Sequence, residues 1–118
     1  MKNIIAEKSY GFALRIVKLS QYLIQKKEFV LSKQILRSGT SIGANVEEAL
    51  GGQSKKDFLN KMSIAYKEAR ETSYWLRLLK DSDILLENHF SSIYRDLEEI
   101  VKILTKIQKT TRNKIDNS

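Results

Sequence analysis

Apolar residues recur along this chain at spacings of three and four, the period with which an α-helix presents one face to a core. The first such run is Phe12, Ile16, Leu19 and Leu23. A second stripe, Tyr10, Ala13, Leu14, Val17 and Ile24, lies beside it, so the apolar arc is wider than one neighbouring helix pair needs. These positions predict a helix over about residues 4–27, with Lys26 and Lys27 near its negative C-terminal dipole. The next run holds one phase through Leu31, Ile35, Ser38, Ile42, Val46 and Ala49. Ser38-Gly39-Thr40-Ser41 has the composition of a loop, but a loop would reset the phase, and the phase continues. One helix is therefore expected over about residues 29–50, closed by Gly51-Gly52 in left-handed C-cap geometry.

Ser54 to Asp57 resembles a capping box with Ser54 as N-cap and Asp57 in place of the usual Glu or Gln. Behind it, Phe58, Met62, Ala65, Ala69, Thr72, Leu76 and Leu79 alternate spacings of four and three without error. Ile64, Trp75 and Leu78 form a flanking stripe. This predicts a third helix over about residues 55–80, ending before the polar Asp81-Ser82-Asp83 turn. Phe90, Ile93, Leu97, Ile100, Leu104 and Ile107 predict a fourth over about residues 86–111, followed by a polar, frayed tail over 112–118. No strand-like alternation occurs. Four helices of roughly 22–27 residues with short connections predict a single all-α domain over residues 1–118, an antiparallel up-down-up-down four-helix bundle.

Composition narrows the chemistry. The 118 residues contain no cysteine and no proline. Absent cysteine excludes a disulfide scaffold, a thiolate zinc site, an iron–sulfur cluster and a cysteine nucleophile. Absent proline suits an almost wholly helical chain. His89 is the only histidine, with no Gly-x-Ser-x-Gly elbow to give it a nucleophile. A di-metal carboxylate bundle needs Glu-x-x-His pairs on two helices, and there are none. Gly39-Thr40-Ser41-Ile42-Gly43 lacks the Gly-Lys-Ser/Thr ending and the preceding strand of a phosphate loop. The expectation is a protein without enzymatic activity, metal or cofactor. Met1 to Glu7 lacks an apolar secretory core, and no run approaches the roughly 18 apolar residues of a membrane span. A soluble, cytoplasmic protein is expected.

The Gly39-x-x-x-Gly43 spacing, with Ser38, Ser41 and Ala44 around it, allows another helix to approach closely. Beside it, Arg37, Asn45 and Glu48 run one position off the core stripe, and Glu71 holds a similar flanking place on the third helix. Half-buried charges need partners, so these four residues are expected to form a helix-bridging polar network that sets register.

The formal net charge is +7, from 21 basic and 14 acidic residues, and it is uneven. Residues 1–29 carry +4, 30–52 none, 53–80 another +4, and 81–118 carry −1. Lys8, Arg15, Lys18, Tyr22 and Lys26 follow one outward stripe of the first helix. Lys56, Lys67, Arg70, Tyr74 and Arg77 do the same on the third. Cations with an interleaved tyrosine suit a phosphate backbone and stacked bases. The leading reading is binding of RNA or DNA through the first and third helices. The alternative is a protein–protein scaffold whose positive charge only solvates its surface. In an up-down bundle those two helices are diagonal, so a single protomer does not merge the stripes, whereas an oligomer can.

The run LRSGTSIGANVEEA, Leu36 to Ala49, followed by QSKKDFLNKMSIAYKEARETSYWLRLL, Gln53 to Leu79, resembles the bacterial four-helix-bundle family of 23S ribosomal RNA intervening-sequence proteins. The specific positions are Arg37, Ser38, Ser41, Ile42, Asn45 and Glu48, with Asp57-Phe58, Ala65, Glu71 and Leu76 downstream. FALRIVKLSQYL, Phe12 to Leu23, extends the resemblance to roughly Ser9 through Leu104. The resemblance implies a ring-like homo-oligomer, a pentamer. A related branch, the accessory proteins of diversity-generating retroelements, binds nucleic acid and a reverse transcriptase. By that kinship, the partners implied are the chain itself, RNA or DNA, and another nucleic-acid-associated protein.

Overall fold

A computed structural model describes residues 3–117. Four helices fill almost all of this span, and no strand occurs among the described residues: α1 (Ile4–Gln25), α2 (Phe29–Leu50), α3 (Lys55–Asp81) and α4 (Glu87–Asp116). α2 passes through Ser38-Gly39-Thr40-Ser41 without a break, as the continuous phase requires. At the start of α1 the Asn3 side chain accepts a hydrogen bond from the Ala6 N–H at 3.0 Å, and at the start of α3 Ser54 accepts from the Asp57 N–H at 3.0 Å. Each satisfies a backbone donor that the first helical turn leaves open.

The fourth helix is longer than its apolar pattern indicated. α4 runs to Asp116, so Arg112 to Asp116 are helical and not a frayed tail; Ser118 lies outside the described residues. Thr111 is buried and donates to the Ile107 carbonyl at 2.7 Å. The polar composition of this last stretch hid a helix whose outer face is simply cationic.

The helix ends also differ from expectation. Gly51 and Gly52 do not adopt a left-handed conformation: Gly51 caps α2 with φ −89°, and no described glycine has positive φ. Space, not backbone freedom, favours glycine at 52, where a Cβ would stand 3.0 Å from the Ala49 carbonyl oxygen. The left-handed stops fall on Lys27 (φ 64°) and Asp83 (φ 62°). At the first, Glu28 N–H donates to Leu23 O at 2.8 Å and Lys27 N–H to Ile24 O at 2.9 Å. At the second, Ile84 N–H donates to Leu79 O and Asp83 N–H to Lys80 O, both at 3.0 Å. Both are the paired closure of a Schellman motif, built without glycine.

The heptad positions form one core. Phe12, Ile16, Leu23, Ile35, Ile42, Met62, Leu76, Leu79, Leu97, Ile100 and Leu104 are essentially inaccessible. Burying each such side chain contributes about 1.5–3 kcal/mol. α2 packs against α1 and α3, and α4 packs against α3 and α1. Contacts at each seam run in opposite senses along the two chains. Gly39 and Gly43 of α2 lie on Ile16 and Ser9 of α1, Lys61 and Glu71 of α3 meet Glu48 and Arg37 of α2, and Lys8 and Arg15 of α1 meet Glu99 and Asp96 of α4.

At the small-residue patch α1 and α2 approach closely. A Cβ on Gly39 would lie 2.7 Å from Ile16 Cγ1, and one on Gly43 would lie 3.3 Å from the Ser9 carbonyl oxygen. Further along the seam, buried Ser20 and Ser32 share a hydroxyl–hydroxyl hydrogen bond of 2.7 Å, and Ser32 also donates to the Ser20 carbonyl at 2.9 Å. On the other side of α2, Thr72 of α3 donates to buried Ser38 at 3.0 Å. No buried side-chain nitrogen or oxygen among the described residues lacks a partner.

Candidate nucleic-acid interface

The basic residues fall into two groups with different surroundings. On α1, Lys8 bonds Glu99 at 2.6 Å, and Arg15 bonds Asp96 at 2.6 Å and the Ser92 hydroxyl at 3.0 Å. The Glu99 carboxylate, through its hydrogen bond and charge, raises the Lys8 pKa above the ordinary lysine value. Lys26 lies 5.5 Å from the Tyr22 ring centre, and Lys18 and Tyr22 border a shallow apolar depression of about 290 Å³ with Leu19, Leu85 and His89. The expected cationic stripe of α1 is therefore interrupted: two of its four cations already neutralise carboxylates of α4.

The α3–α4 seam has the opposite character. Its middle is a depression of about 720 Å³ walled by Lys67 and Arg70 of α3 and by Lys109 and Arg112 of α4. Tyr66 and Arg70 lead into a second depression of about 380 Å³, bordered by Arg77 and Lys102 and by the carboxylate Glu98. At the far end Lys55 and Lys114 border a third. Eight cations and one carboxylate thus line three depressions between α3 and α4, the first two joined through Tyr66 and Arg70. All eight cations are solvent-exposed.

Polar links span the seam. Ser63 donates to Gln108 at 3.2 Å, Gln108 donates onward to the Leu104 carbonyl at 3.2 Å, and Ser73 and Tyr94 share a hydrogen bond of 2.7 Å. Arg77 Nε donates to the Ser73 hydroxyl at 3.4 Å. Of the residues singled out on α3, Lys67, Arg70 and Arg77 border the seam. Lys56 does not border these depressions, and Tyr74 turns outward, with its ring edge-on to Trp75 at 5.0 Å.

Segment averaging concealed the contribution of α4. Residues 81–118 sum to −1, yet from Lys102 onward there are five basic residues and one acidic. The acids Asp96 and Glu99 face α1, whereas Lys102, Lys109 and Arg112 face α3. The spacing of Lys102, Lys106 and Lys109 was the available signal, and the frayed-tail reading of Arg112 and Lys114 discarded the rest.

The expected polar network is smaller than its four members. Arg37 pairs with Glu71, and with Glu68 at 3.4 Å, while Trp75 Nε1 donates to the same Glu71 carboxylate at 3.0 Å. Asn45 instead donates to the Ser41 carbonyl of its own helix at 2.8 Å, and Glu48 pairs with Lys61 at 3.3 Å. Asn45 and Glu48 sit about two and three turns further along α2, beyond the reach of the Arg37 guanidinium.

Opposite the basic seam, the second stripe of α1 stays uncovered. Tyr10 is 65% exposed, Leu14 53% and Ile24 50%, with Val17 between them and Leu36 and Phe29 of α2 alongside. No described helix is long and apolar enough to cross a membrane, and the described residues contain no cluster of His, Cys, Asp or Glu able to hold a metal ion.

Four helices around one apolar core, with cations gathered on one seam and apolar residues on the opposite face, define a compact all-α bundle with two distinct surfaces. The chain belongs to the 23S rRNA-intervening sequence protein family, whose pattern matches residues 1–106. Among solved structures it is similar to a protein of unknown function from the S23 ribosomal protein family of Bacteroides thetaiotaomicron VPI-5482. The two share 53% identity and a TM-score of 0.88, over 89% of this chain and 98% of that one. No curated protein matches the chain.

Proposed function

We propose that this protein is a non-enzymatic, cytoplasmic, homo-oligomeric bundle that binds nucleic acid through its α3–α4 face. The observation that carries the reading is the concentration of eight cations against one carboxylate along that seam. Phosphodiester backbones are bound by such arrays chiefly through release of condensed counterions. The α1 stripe plays the smaller part, since Lys8 and Arg15 already have carboxylate partners.

The opposed contact senses at the seams support an antiparallel up-down-up-down course, which puts the α1–α2 face across the bundle from the α3–α4 seam. The exposed Tyr10, Leu14, Val17 and Ile24 then supply a self-association surface, since a monomer gains little from an apolar stripe facing water. Copies joined through it, in a closed ring such as a pentamer, would direct every basic seam outward. RNA, DNA and a second nucleic-acid-associated protein are the partners this arrangement suits.

Two measurements test the reading. Fluorescence anisotropy with labelled oligonucleotides, single-stranded and duplex, should detect binding at about 50 mM salt that weakens log-linearly as salt rises. Absence of binding to both would leave the scaffold alternative. Light scattering should return a multiple of 13.6 kDa; a monomer at high micromolar concentration would remove the assembly.

A further inference from the structure

We infer that the α3–α4 groove accepts a single polynucleotide strand and not a duplex, an inference that rests on the nucleic-acid reading above. The shape of the site decides between the two. Its cations stand on both walls of a depression: Lys67 and Arg70 on α3 face Lys109 and Arg112 on α4 across a common space. The axes of two packed helices lie about 8–10 Å apart. A duplex is bound by a protein helix entering its major groove, about 12 Å wide, and as a convex cylinder it would rest on the rims of this seam. A single strand is slender enough to lie along it, with phosphates reaching either wall.

Two further features fit an extended strand. The two joined depressions run beside α3 from Ser63 to Arg77, about 21 Å at 1.5 Å per residue, room for a strand at the short end of the roughly 4–16 nucleotides that such grooves hold. Tyr66 lies where the depressions of about 720 Å³ and 380 Å³ meet, half-buried, with Arg70 beside it in both. An aromatic ring between cationic walls is a stacking platform for a base, and every base has a π-face, so the site tolerates sequence. Tyr94, the other ring in the groove, is already committed: it stacks on Phe90 at 4.8 Å and bonds Ser73.

The test compares a fluorescein-labelled oligothymidylate 20-mer with a 20-base-pair duplex by anisotropy at about 50 mM salt, for the wild type and for Tyr66→Leu and Tyr66→Ala. Tyr66→Leu keeps most of the apolar packing and removes the ring. A melt monitored by circular dichroism accompanies both variants, so loss of fold is separated from loss of stacking. The expected result is at least about tenfold tighter binding of the single strand, with Tyr66→Leu weakening it about tenfold and leaving duplex binding unchanged. Equal or tighter duplex binding overturns the inference while leaving the nucleic-acid reading intact. Single-strand preference untouched in a folded Tyr66→Leu protein overturns the role of Tyr66. Binding of neither probe removes the underlying reading and this one with it.

Discussion

Replacing Gly39 by alanine sets two known effects against each other. In a helix interior alanine is favoured over glycine by about 1 kcal/mol, because the glycine backbone loses more freedom on folding. At position 39, however, the new methyl would stand 2.7 Å and 2.8 Å from Cγ1 and Cγ2 of Ile16. Those carbons adjoin the β-branch of a fully buried side chain, so they cannot swing aside, and α1 must move away from α2. Overpacking of this kind costs about 1–3 kcal/mol. The net expectation is a loss of about 1 kcal/mol, or roughly 4 °C in Tm for a domain of this size. Gly11 is the internal control, since a Cβ there meets nothing within 4 Å and Gly11→Ala should gain up to about 1 kcal/mol. Urea denaturation at one fixed protein concentration, which holds any assembly constant, measures both variants. If Gly39→Ala stabilises as much as Gly11→Ala, the close approach of α1 and α2 at this patch is wrong.

Three further outcomes follow from the helix ends and polar contacts. Lys27→Gly removes a non-glycine residue from left-handed backbone at the end of α1 and should raise stability by about 1 kcal/mol in the same assay. Thr72→Val removes the donor to buried Ser38 and should cost about 1–3 kcal/mol, whereas adding Ser38→Ala should recover much of it; strict additivity of the two changes would show that the hydroxyls do not interact. The Lys8–Glu99 pair raises the lysine pKa in the folded state, so its stabilisation is fully present below the unfolded lysine value and is lost as pH rises through the raised one. NMR titration of Lys8 should therefore show its pKa falling back in Glu99→Gln, and no change would mean the pair does not persist in solution.

Most of the core was legible because burial obeys the helical period. Phe12, Ile16, Leu19 and Leu23 are inside, as are Met62, Ala65, Ala69, Thr72, Leu76 and Leu79. The wide apolar arc of α1 was legible too, as the stripe left exposed at Tyr10 and Leu14. The site was less so, because a cation's function depends on what faces it across a seam. Lys8 and Lys67 look alike in sequence, yet one faces Glu99 and the other a groove shared with Lys109 and Arg112. Arg112 and Lys114 read as a tail because polar residues alone carry no inward stripe, although Thr111 continues the buried face. Gly51-Gly52 misled because glycine permits a left-handed stop without requiring one, while Lys27 and Asp83 accept it where the paired backbone hydrogen bonds hold them.

Charge reversal on each seam in turn asks directly which seam carries the binding. Arg70→Glu with Arg112→Glu, and Lys18→Glu with Lys26→Glu, change the net charge by the same amount, so any difference between them is positional. Oligonucleotide binding should weaken far more in the first pair, and the log–log salt slope for a single strand should shrink by about 1.4 units, the share of two phosphate contacts at roughly 0.7 each. The second pair should keep nearly the wild-type slope. Equal losses from both pairs, or a larger loss from the α1 pair, would contradict an interface on the α3–α4 seam.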